Sequence, residues 1–186
     1  MCAFIYDETS DRSLEDSRSC STYTLKTFSS NEAFESDPIA SQRGAVTHAG
    51  SCGLCSTAQD LAVYLSEDFT TAGKHCAAVG LFNETQGQHC YEALGLTPEC
   101  AKIWNYDGIY DGKECITPCA TSLTDPNNGP PPTCPLNPCL ECDELEAGPI
   151  FSSFAGRTRR RSGLLSEIVR NCSSIASGIV HDAACP

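Results

Sequence analysis

The sequence lacks three features that would each point to a class of protein. No apolar run reaches the roughly 18 residues of a membrane helix, so we expect no membrane span. Only 12 residues are basic against 24 acidic ones, and the net charge of −12 argues against nucleic acid as the main partner. The chain also contains no complete catalytic or cofactor motif, so we expect no cofactor.

The first residues lack the basic start and the apolar centre of a signal peptide. If the protein is secreted, we therefore expect that Met1 is not the native start and that the numbering describes a mature or excised piece. With 186 residues, the chain has the length of one domain or two small ones. A hydrophobic core is thus possible without covalent cross-links.

Cysteine, in contrast, is abundant. Fourteen cysteines are several times what an ordinary cytosolic domain of this length contains, which indicates an oxidising compartment and an extracellular or cell-surface location. Because the number is even, we expect seven disulfides and no free thiol. The predicted half-cystines are Cys2, Cys20, Cys52, Cys55, Cys76, Cys90, Cys100, Cys115, Cys119, Cys134, Cys139, Cys142, Cys172 and Cys185.

Two glycosylation motifs favour the same compartment. "NET" begins at Asn83 and "NCS" begins at Asn171, and N-x-S/T is modified only in the secretory pathway. We therefore predict a glycoprotein with Asn83 and Asn171 as acceptors.

The pattern of residues predicts a mainly α, disulfide-rich fold of short cross-linked helices with a minor β or extended N-terminal arm. Residues 1–45 form a polar acidic arm, with an alternating strand pattern over 20–28. A cysteine-rich helical lobe follows over 46–122, then a Pro/Asn/Gly-rich loop or linker over 123–138. We expect residues 139–186 to form a C-terminal helical segment packed on the first lobe.

Several local signals mark the ends of these elements. Thr97 and Pro98 predict a helix start, because the hydroxyl accepts an orphan amide hydrogen bond and the proline ring fixes φ. Asn137 and Pro138 predict a second start in the same way. Glycines bound a further strand candidate over 44–50, and residues 164–172 have an amphipathic pattern that favours a last helical piece.

The segment "GSCGLC" over residues 50–55 stands before a predicted helix. It resembles the nucleophile segment of papain-like cysteine proteases, in which C-G-x-C precedes a helix. The resemblance implies that Cys52 is a half-cystine, that Cys55 is the nucleophile and that His181 is its partner. Ser56 stands where that family has an aromatic residue, and no glutamine of the usual kind precedes Cys52. From the resemblance, a cysteine-dependent hydrolase acting through Cys55 and His181 is an alternative function.

Two kinds of metal site are also conceivable from the sequence. Two C-x-x-C pairs, 52/55 and 139/142, have the spacing of zinc ligands, although an oxidising compartment favours disulfides over thiolates. Hard oxygen ligands for calcium are present in turn-forming segments, but neither segment has the complete EF-hand spacing. We expect no metal, and the calcium candidates are Asp107, Asp111, Glu114 and Asp125.

Four of the twelve basic residues lie in "RTRRR" over residues 157–161. The cluster fits either contact with a partner or neutralisation of the chain's own carboxylates, and the second is the simpler interpretation.

These observations favour a secreted, disulfide-stabilised glycoprotein domain with a structural or adhesive role, as in a subunit of an extracellular matrix, wall or filament. Seven disulfides at about 2 to 4 kcal/mol each would exceed the usual total stability of a domain, which suits survival outside the cell. The expected partners are other protein subunits or extracellular glycans, and the chain could form a homo-oligomer or polymer. A calcium- or small-ligand-binding module is the other alternative to the hydrolase.

Overall fold

A computed structural model describes residues 1–7, 22–122 and 124–181 of the chain. The predicted half-cystines Cys20 and Cys185 lie outside the described residues.

A three-stranded antiparallel sheet opens the fold. Its strands are β1 (Cys2–Tyr6), β2 (Tyr23–Thr27) and β3 (Gly44–His48), with β1 in the centre. Phe4 on β1 stands opposite Leu25 on β2 and Ala45 on β3. The alternating pattern over 20–28 predicted β2, and the glycine-bounded candidate over 44–50 predicted β3. Strand β1 lies in the segment that we assigned to a polar arm.

Two short helices lie between β2 and β3 and help to close a small core next to the sheet. They are α1 (Asn31–Ser36) and α2 (Ala40–Arg43). The core contains Ala3, Phe28 and Ala40, with Phe34 packed against it. A tyrosine of the sheet also reaches the helical part of the molecule, because the Tyr23 hydroxyl accepts a hydrogen bond of 2.8 Å from the backbone N–H of Ala58.

Seven further helices of the described residues form the larger part of the fold. They are α3 (Ala58–Ser66), α4 (Phe69–Phe82), α5 (Glu84–Ala93), α6 (Pro98–Glu114), α7 (Ile116–Thr121), α8 (Pro138–Leu145) and α9 (Gly148–Ala155). Helices α4, α5 and α6 pack on one another, α9 packs on α6 and α8, and α8 packs on α7. Within the described residues, the mainly α fold with a minor β part is therefore confirmed.

Both predicted helix starts are confirmed. Asn137 Oδ1 accepts a hydrogen bond of 2.9 Å from the backbone N–H of Leu140 at the start of α8. At the start of α6, the Thr97 side chain caps the helix and Pro98 follows as the first helical residue. Buried Asp60 joins this cap to helix α3, because its Oδ1 accepts a hydrogen bond of 2.8 Å from the backbone N–H of Thr97.

Glycines allow helices α4, α5 and α6 to approach closely. A Cβ atom at Gly80 on α4 or at Gly87 on α5 would collide with Asn105 Oδ1 of α6. Asn105 itself is buried, and its Nδ2 donates a hydrogen bond of 2.9 Å to the carbonyl oxygen of Glu84. The three helices therefore meet around one polar side chain that only small neighbours can accommodate.

Within the described residues, five disulfides connect neighbouring elements, which confirms the disulfide-rich fold of cross-linked helices. Cys134 is half-buried, Cys172 is exposed, and neither is bonded to another described cysteine, so the pairing predicted for these two stays a prediction. An even number of cysteines predicts pairing but does not bring two sulfur atoms within bonding distance. The disulfides are Cys2–Cys52, Cys55–Cys100, Cys76–Cys90, Cys115–Cys142 and Cys119–Cys139.

Residues 156–181 contain one 3₁₀ turn, at Cys172–Ser174, and no α-helix. The helical piece that the amphipathic pattern predicted over 164–172 is therefore wrong. Side chains from elsewhere satisfy the backbone of this segment instead. Asp68 Oδ2 accepts from the backbone N–H of Glu167 at 2.8 Å, and Asn128 Oδ1 accepts from the backbone N–H of Val169 at 2.8 Å. These contacts replace the hydrogen bonds of a helix.

None of the helices in the part of the chain that the structure describes has the length and hydropathy to cross a membrane.

Candidate functional site

A cleft of about 610 Å³ lies between helices α4, α6, α8 and α9 and the irregular segment that follows α9. Its wall combines an aromatic cluster, three aspartates and several arginines. We call this cavity the cleft.

The aromatic cluster surrounds the single tryptophan of the chain, Trp104 on α6. The ring centroid of Trp104 lies 4.8 Å from that of Phe69, 6.0 Å from that of Tyr91 and 4.7 Å from that of Phe151. Trp104 Nε1 donates a hydrogen bond of 3.0 Å to the hydroxyl of buried Tyr64. The cluster therefore provides a rigid apolar wall with its polar atoms satisfied.

Three aspartates, Asp107, Asp111 and Asp143, form the acidic part of the cleft, and we call them the aspartate cluster. Asp107 and Asp111 stand four residues apart on α6, so they share one face of the helix. Asp143 comes from α8, which the Cys115–Cys142 disulfide fastens to the end of α6. One carboxylate oxygen of each residue lies within 4.8 Å of the other two. Two helices therefore bring three acidic groups to one point.

Carboxylate oxygens in this cluster are buried without a hydrogen-bond partner. Oδ1 of Asp107 and Oδ1 of Asp111 are both removed from solvent, and neither accepts a hydrogen bond within the described residues. Burial, followed by the charge of Asp143, raises the pKa of Asp107 to about 8. Burial also raises the pKa of Asp111 and of Asp143, which share a hydrogen bond between their carboxyl groups. Without a bound cation, the cluster therefore retains protons at neutral pH.

These shifts predict how stability depends on pH when no cation is present. A carboxyl group whose pKa is raised in the folded state stabilises the fold below its unfolded pKa, near 3.8, and loses that contribution as the pH rises through its folded pKa. In the presence of a metal chelator, we therefore expect the melting temperature to fall as the pH is raised from 5 to 9. The variant Asp111→Asn imitates a protonated carboxyl group, so its melting temperature should fall less steeply. Equal pH profiles of the two proteins, measured by calorimetry, would contradict this expectation.

A network of arginines lies beside Asp143 in the wall of the cleft. Arg160 and Arg170 both bind Glu144 of α8, at N–O distances of 2.8 and 2.7 Å. Arg159 Nη1 donates to the carbonyl oxygens of Tyr64 and Glu67, at 2.6 and 2.7 Å. The cluster over 157–161 thus fastens neighbouring segments. Two of its members pair with carboxylates of the chain itself, Arg159 with Asp68 and Arg160 with Glu144, as the simpler interpretation predicted.

Arg157 differs from its neighbours because it is fully buried. Its guanidinium group donates to the carbonyl oxygens of Thr47, Cys55 and Ser56 and to the hydroxyls of Thr47 and Ser162. Burial lowers its pKa to about 10, so the group is still charged at neutral pH. Arg157 therefore joins the end of the sheet, the segment before α3 and the turn after α9.

The residues of the hydrolase alternative do not form a catalytic pair. Cys55 is fully buried and bonded to Cys100, so it has no thiolate to react. His181 Nε2 lies 2.7 Å from the carbonyl oxygen of Ser162. Since a nucleophile cannot also be a half-cystine, the structure overturns the alternative of a hydrolase that uses Cys55 and His181.

A buried histidine and serine lie next to the same segment but have a structural arrangement. His48 Nε2 is 2.7 Å from Ser56 Oγ, and His48 Nδ1 is 2.8 Å from the carbonyl oxygen of Ala49. Because a carbonyl oxygen only accepts, Nδ1 carries the proton and Nε2 accepts from the serine hydroxyl. Burial lowers the pKa of His48 to about 4, and both side chains are removed from solvent. No substrate reaches this pair.

The two metal sites considered from the sequence have different outcomes. All four cysteines of the C-x-x-C pairs are in disulfides, which excludes the zinc interpretation in this fold. Of the calcium candidates, Asp107 and Asp111 belong to the aspartate cluster, whereas Glu114 and Asp125 are exposed and lie outside it. The sequence analysis did not include Asp143. The four-residue spacing of "YDGIYDG" was the one available signal, and it reveals only the two aspartates of α6.

Both predicted glycosylation sites are on the surface. Asn83 is exposed, and its Oδ1 accepts a hydrogen bond of 3.1 Å from the backbone N–H of Gln86 at the start of α5. Asn171 is exposed as well, and its Oδ1 accepts from the backbone N–H of Ser173 at 3.0 Å. In both residues the side-chain amide oxygen caps the start of the helix that follows, α5 after Asn83 and the 3₁₀ turn after Asn171.

The fold and the cleft define a mainly helical, disulfide-stabilised domain with an acidic cluster beside an aromatic wall. A family model with the description "Family of unknown function (DUF8771)" matches residues 84–178, which is just over half of the chain. The chain belongs to this family. The matched residues include the whole aspartate cluster and the arginines over 157–161. No curated protein and no solved structure matches the chain.

Proposed function

We propose that this chain is an extracellular, disulfide-stabilised domain that binds a divalent cation, calcium in preference to magnesium, at the aspartate cluster of the cleft. The observation that carries the proposal is the approach of three carboxylates from two helices to within 4.8 Å of one another. It deepens the calcium-binding alternative of the sequence analysis and replaces two of its four candidate ligands with Asp143.

The distances suit one cation with ligands from all three residues. Ligand oxygens at about 2.4 Å from a calcium ion are at most about 4.8 Å apart, and the three oxygens lie within that limit, whereas magnesium demands a nearly regular octahedron of ligands. Calcium also tolerates irregular coordination with six to eight oxygens, and water in the cleft can complete the set. These requirements favour calcium at this site.

The electrostatics support the same assignment. Three carboxyl groups at this distance repel one another when ionised, and either protons or a cation has to compensate the charge. The unpartnered oxygens of Asp107 and Asp111 are acceptors without a donor, and a cation would satisfy both. A bound cation would therefore replace the retained protons and remove the cost of the buried, unpaired oxygens.

Isothermal titration calorimetry with calcium chloride at pH 8 tests the proposal, because at that pH fewer protons compete for the site. We expect one binding event per chain, and a rise in melting temperature that grows with calcium concentration. Asp111→Asn removes one charged ligand and should weaken calcium binding by at least about tenfold. Terbium gives a second readout, since Trp104 lines the same cleft and its excitation would sensitise a terbium ion bound nearby.

A matched control is available on the same helix. Glu114→Gln removes one negative charge from the exposed end of α6, outside the cluster, and should leave calcium affinity unchanged. If Asp111→Asn and Glu114→Gln weaken calcium binding equally, the ion is attracted by the net charge of the protein alone. The absence of any heat or melting shift in the unmodified protein would overturn the proposal.

We also infer the extracellular or cell-surface location and the structural or adhesive role. Five disulfides in the described residues support an oxidising compartment, and the surface positions of Asn83 and Asn171 are compatible with glycans. Other subunits or extracellular glycans remain the proposed partners.

A further inference from the structure

Two thiols remain after the five disulfides of the described residues are formed, those of Cys134 and Cys172. Cys134 belongs to the loop before α8, and Cys172 begins the 3₁₀ turn near the end of the described chain. In a protein whose other described cysteines are all paired, two remaining thiols on neighbouring segments require an explanation. We propose that Cys134 and Cys172 form a further disulfide in the mature protein.

One asparagine already holds the two segments side by side. Asn128 Nδ2 donates to the carbonyl oxygen of Cys134 at 2.9 Å and to that of Val169 at 3.1 Å. Asn128 Oδ1 accepts from the backbone N–H of Val169 at 2.8 Å. Since a single side-chain amide contacts both backbones, the backbone of Cys134 and that of Val169 are close neighbours.

Only a short piece of chain separates Cys172 from Val169, the residue that Asn128 contacts. Cys172 follows Val169 by three residues, which span at most about 10 Å when extended. A disulfide requires Cα atoms about 4.4 to 6.8 Å apart. The loop around Cys134 is itself fixed, because Asn128 and Leu136 form an isolated bridge and the nearby Cys119–Cys139 disulfide anchors its end. The proposed bond therefore requires an adjustment of the exposed turn at Cys172.

The reaction is ordinary thiol–disulfide exchange with a small disulfide, such as oxidised glutathione, as the oxidant. The exposed thiol of Cys172, as thiolate, attacks a sulfur of the oxidant and releases one thiolate, which forms a mixed disulfide. Cys134 then attacks the Cys172 sulfur of that mixed disulfide and releases the second thiolate. Two protein thiols are oxidised, one disulfide of the oxidant is reduced to two thiols, and the two protons go to the released thiolates.

The cross-link would fasten the irregular segment that follows α9. Residues 156–181 contribute Arg160 and Arg170 to the cleft, and they are held by side-chain contacts. A bond between Cys134 and Cys172 would close this segment onto the loop before α8. It would thereby hold one wall of the cleft in place, independently of any cation.

Disulfide mapping of the full chain tests this inference. The reduced protein is refolded with reduced and oxidised glutathione, denatured without reductant, treated with N-ethylmaleimide, and digested with trypsin and Asp-N. These proteases separate fragments 114–124, 125–142 and 171–181. The first two are joined through the disulfides of α7 and α8, and we expect 171–181 to be joined to them through Cys134 and Cys172.

The variant Cys134→Ser provides the matched control. It should release fragment 171–181 from the three-fragment species and expose one additional reactive thiol, that of Cys172. N-ethylmaleimide on both Cys134 and Cys172 in the unmodified protein would overturn the proposal. So would a species in which 171–181 is joined to a fragment other than 125–142. Because the map of the unmodified protein decides the question, a folding defect in the variant leaves the test intact.

Discussion

Substitution of Arg157 with methionine is expected to lower the free energy of unfolding by about 3 to 5 kcal/mol. Methionine has an apolar side chain of similar length, but it donates no hydrogen bond. The carbonyl oxygens of Thr47, Cys55 and Ser56 would lose a buried donor, and each loss costs about 1 to 3 kcal/mol. The effect is large because one side chain serves three separate segments of the chain.

Urea denaturation followed by circular dichroism measures this loss. Arg157→Lys retains the charge but not the planar fork, so it should recover only part of the stability. Arg161→Met is the matched control within the same turn, because the Arg161 side chain is only half-buried and its Nη1 donates to the carbonyl oxygens of Ser152 and Gly156. A loss for Arg157→Met no greater than that for Arg161→Met would show that the buried contacts of Arg157 contribute little.

Removal of the Cys55–Cys100 disulfide is the second change with a large expected effect. The double variant Cys55→Ala/Cys100→Ala should lose about 3 to 5 kcal/mol of unfolding free energy. Both sulfurs are fully buried in the main core, and the bond closes a loop with a sequence separation of 45. The variant therefore loosens the unfolded chain and also leaves a cavity in the folded one.

The pair Cys119→Ala/Cys139→Ala is the comparison for this experiment. Its cysteines are half-buried and its bond spans a sequence separation of 20, so both contributions are smaller. Thermal unfolding of the two double variants under identical, non-reducing conditions should place the Cys55/Cys100 variant lower. If the two variants unfold at the same temperature, burial in the core adds nothing to this cross-link.

Local chemistry explains why some elements were predictable from the sequence. A capping residue followed by proline acts within one helical turn, and both pairs, Thr97 with Pro98 and Asn137 with Pro138, start helices as expected. The sequence signals of β2 and β3 likewise depend only on residues within or next to each strand. Strand β1 was missed because "CAFIY" has no alternation of apolar and polar residues and is followed by a strongly polar segment.

The amphipathic segment after the arginines shows where local patterns fail. Its apolar residues recur at helical spacing, but Asp68 and Asn128 provide hydrogen bonds to its backbone from distant parts of the chain. Those contacts exist only after the domain has folded. A tertiary interaction therefore overrides the local preference, and no pattern within the segment reveals it.

The candidate site was predictable only to the extent that it lies on one helix. Asp107 and Asp111 share a face of α6 because of their spacing, whereas Asp143 arrives through helix α8 and its two disulfides to α7 and the end of α6. Disulfide connectivity does not follow from the positions of the cysteines. Burial is equally invisible in the sequence, and burial is what raises the pKa of the three carboxyl groups.

Both C-x-x-C pairs divide their sulfurs between distant elements. Cys52 bonds to Cys2 and Cys55 to Cys100, while Cys139 and Cys142 bond to Cys119 and Cys115. The nearest sulfur along the chain is thus the wrong partner in both motifs. During oxidative folding, a small ring closed within either motif has to be reopened by thiolate attack before the native bonds can form. Chains that close such a ring therefore mature only after a shuffling step, which an isomerase in the folding compartment should shorten.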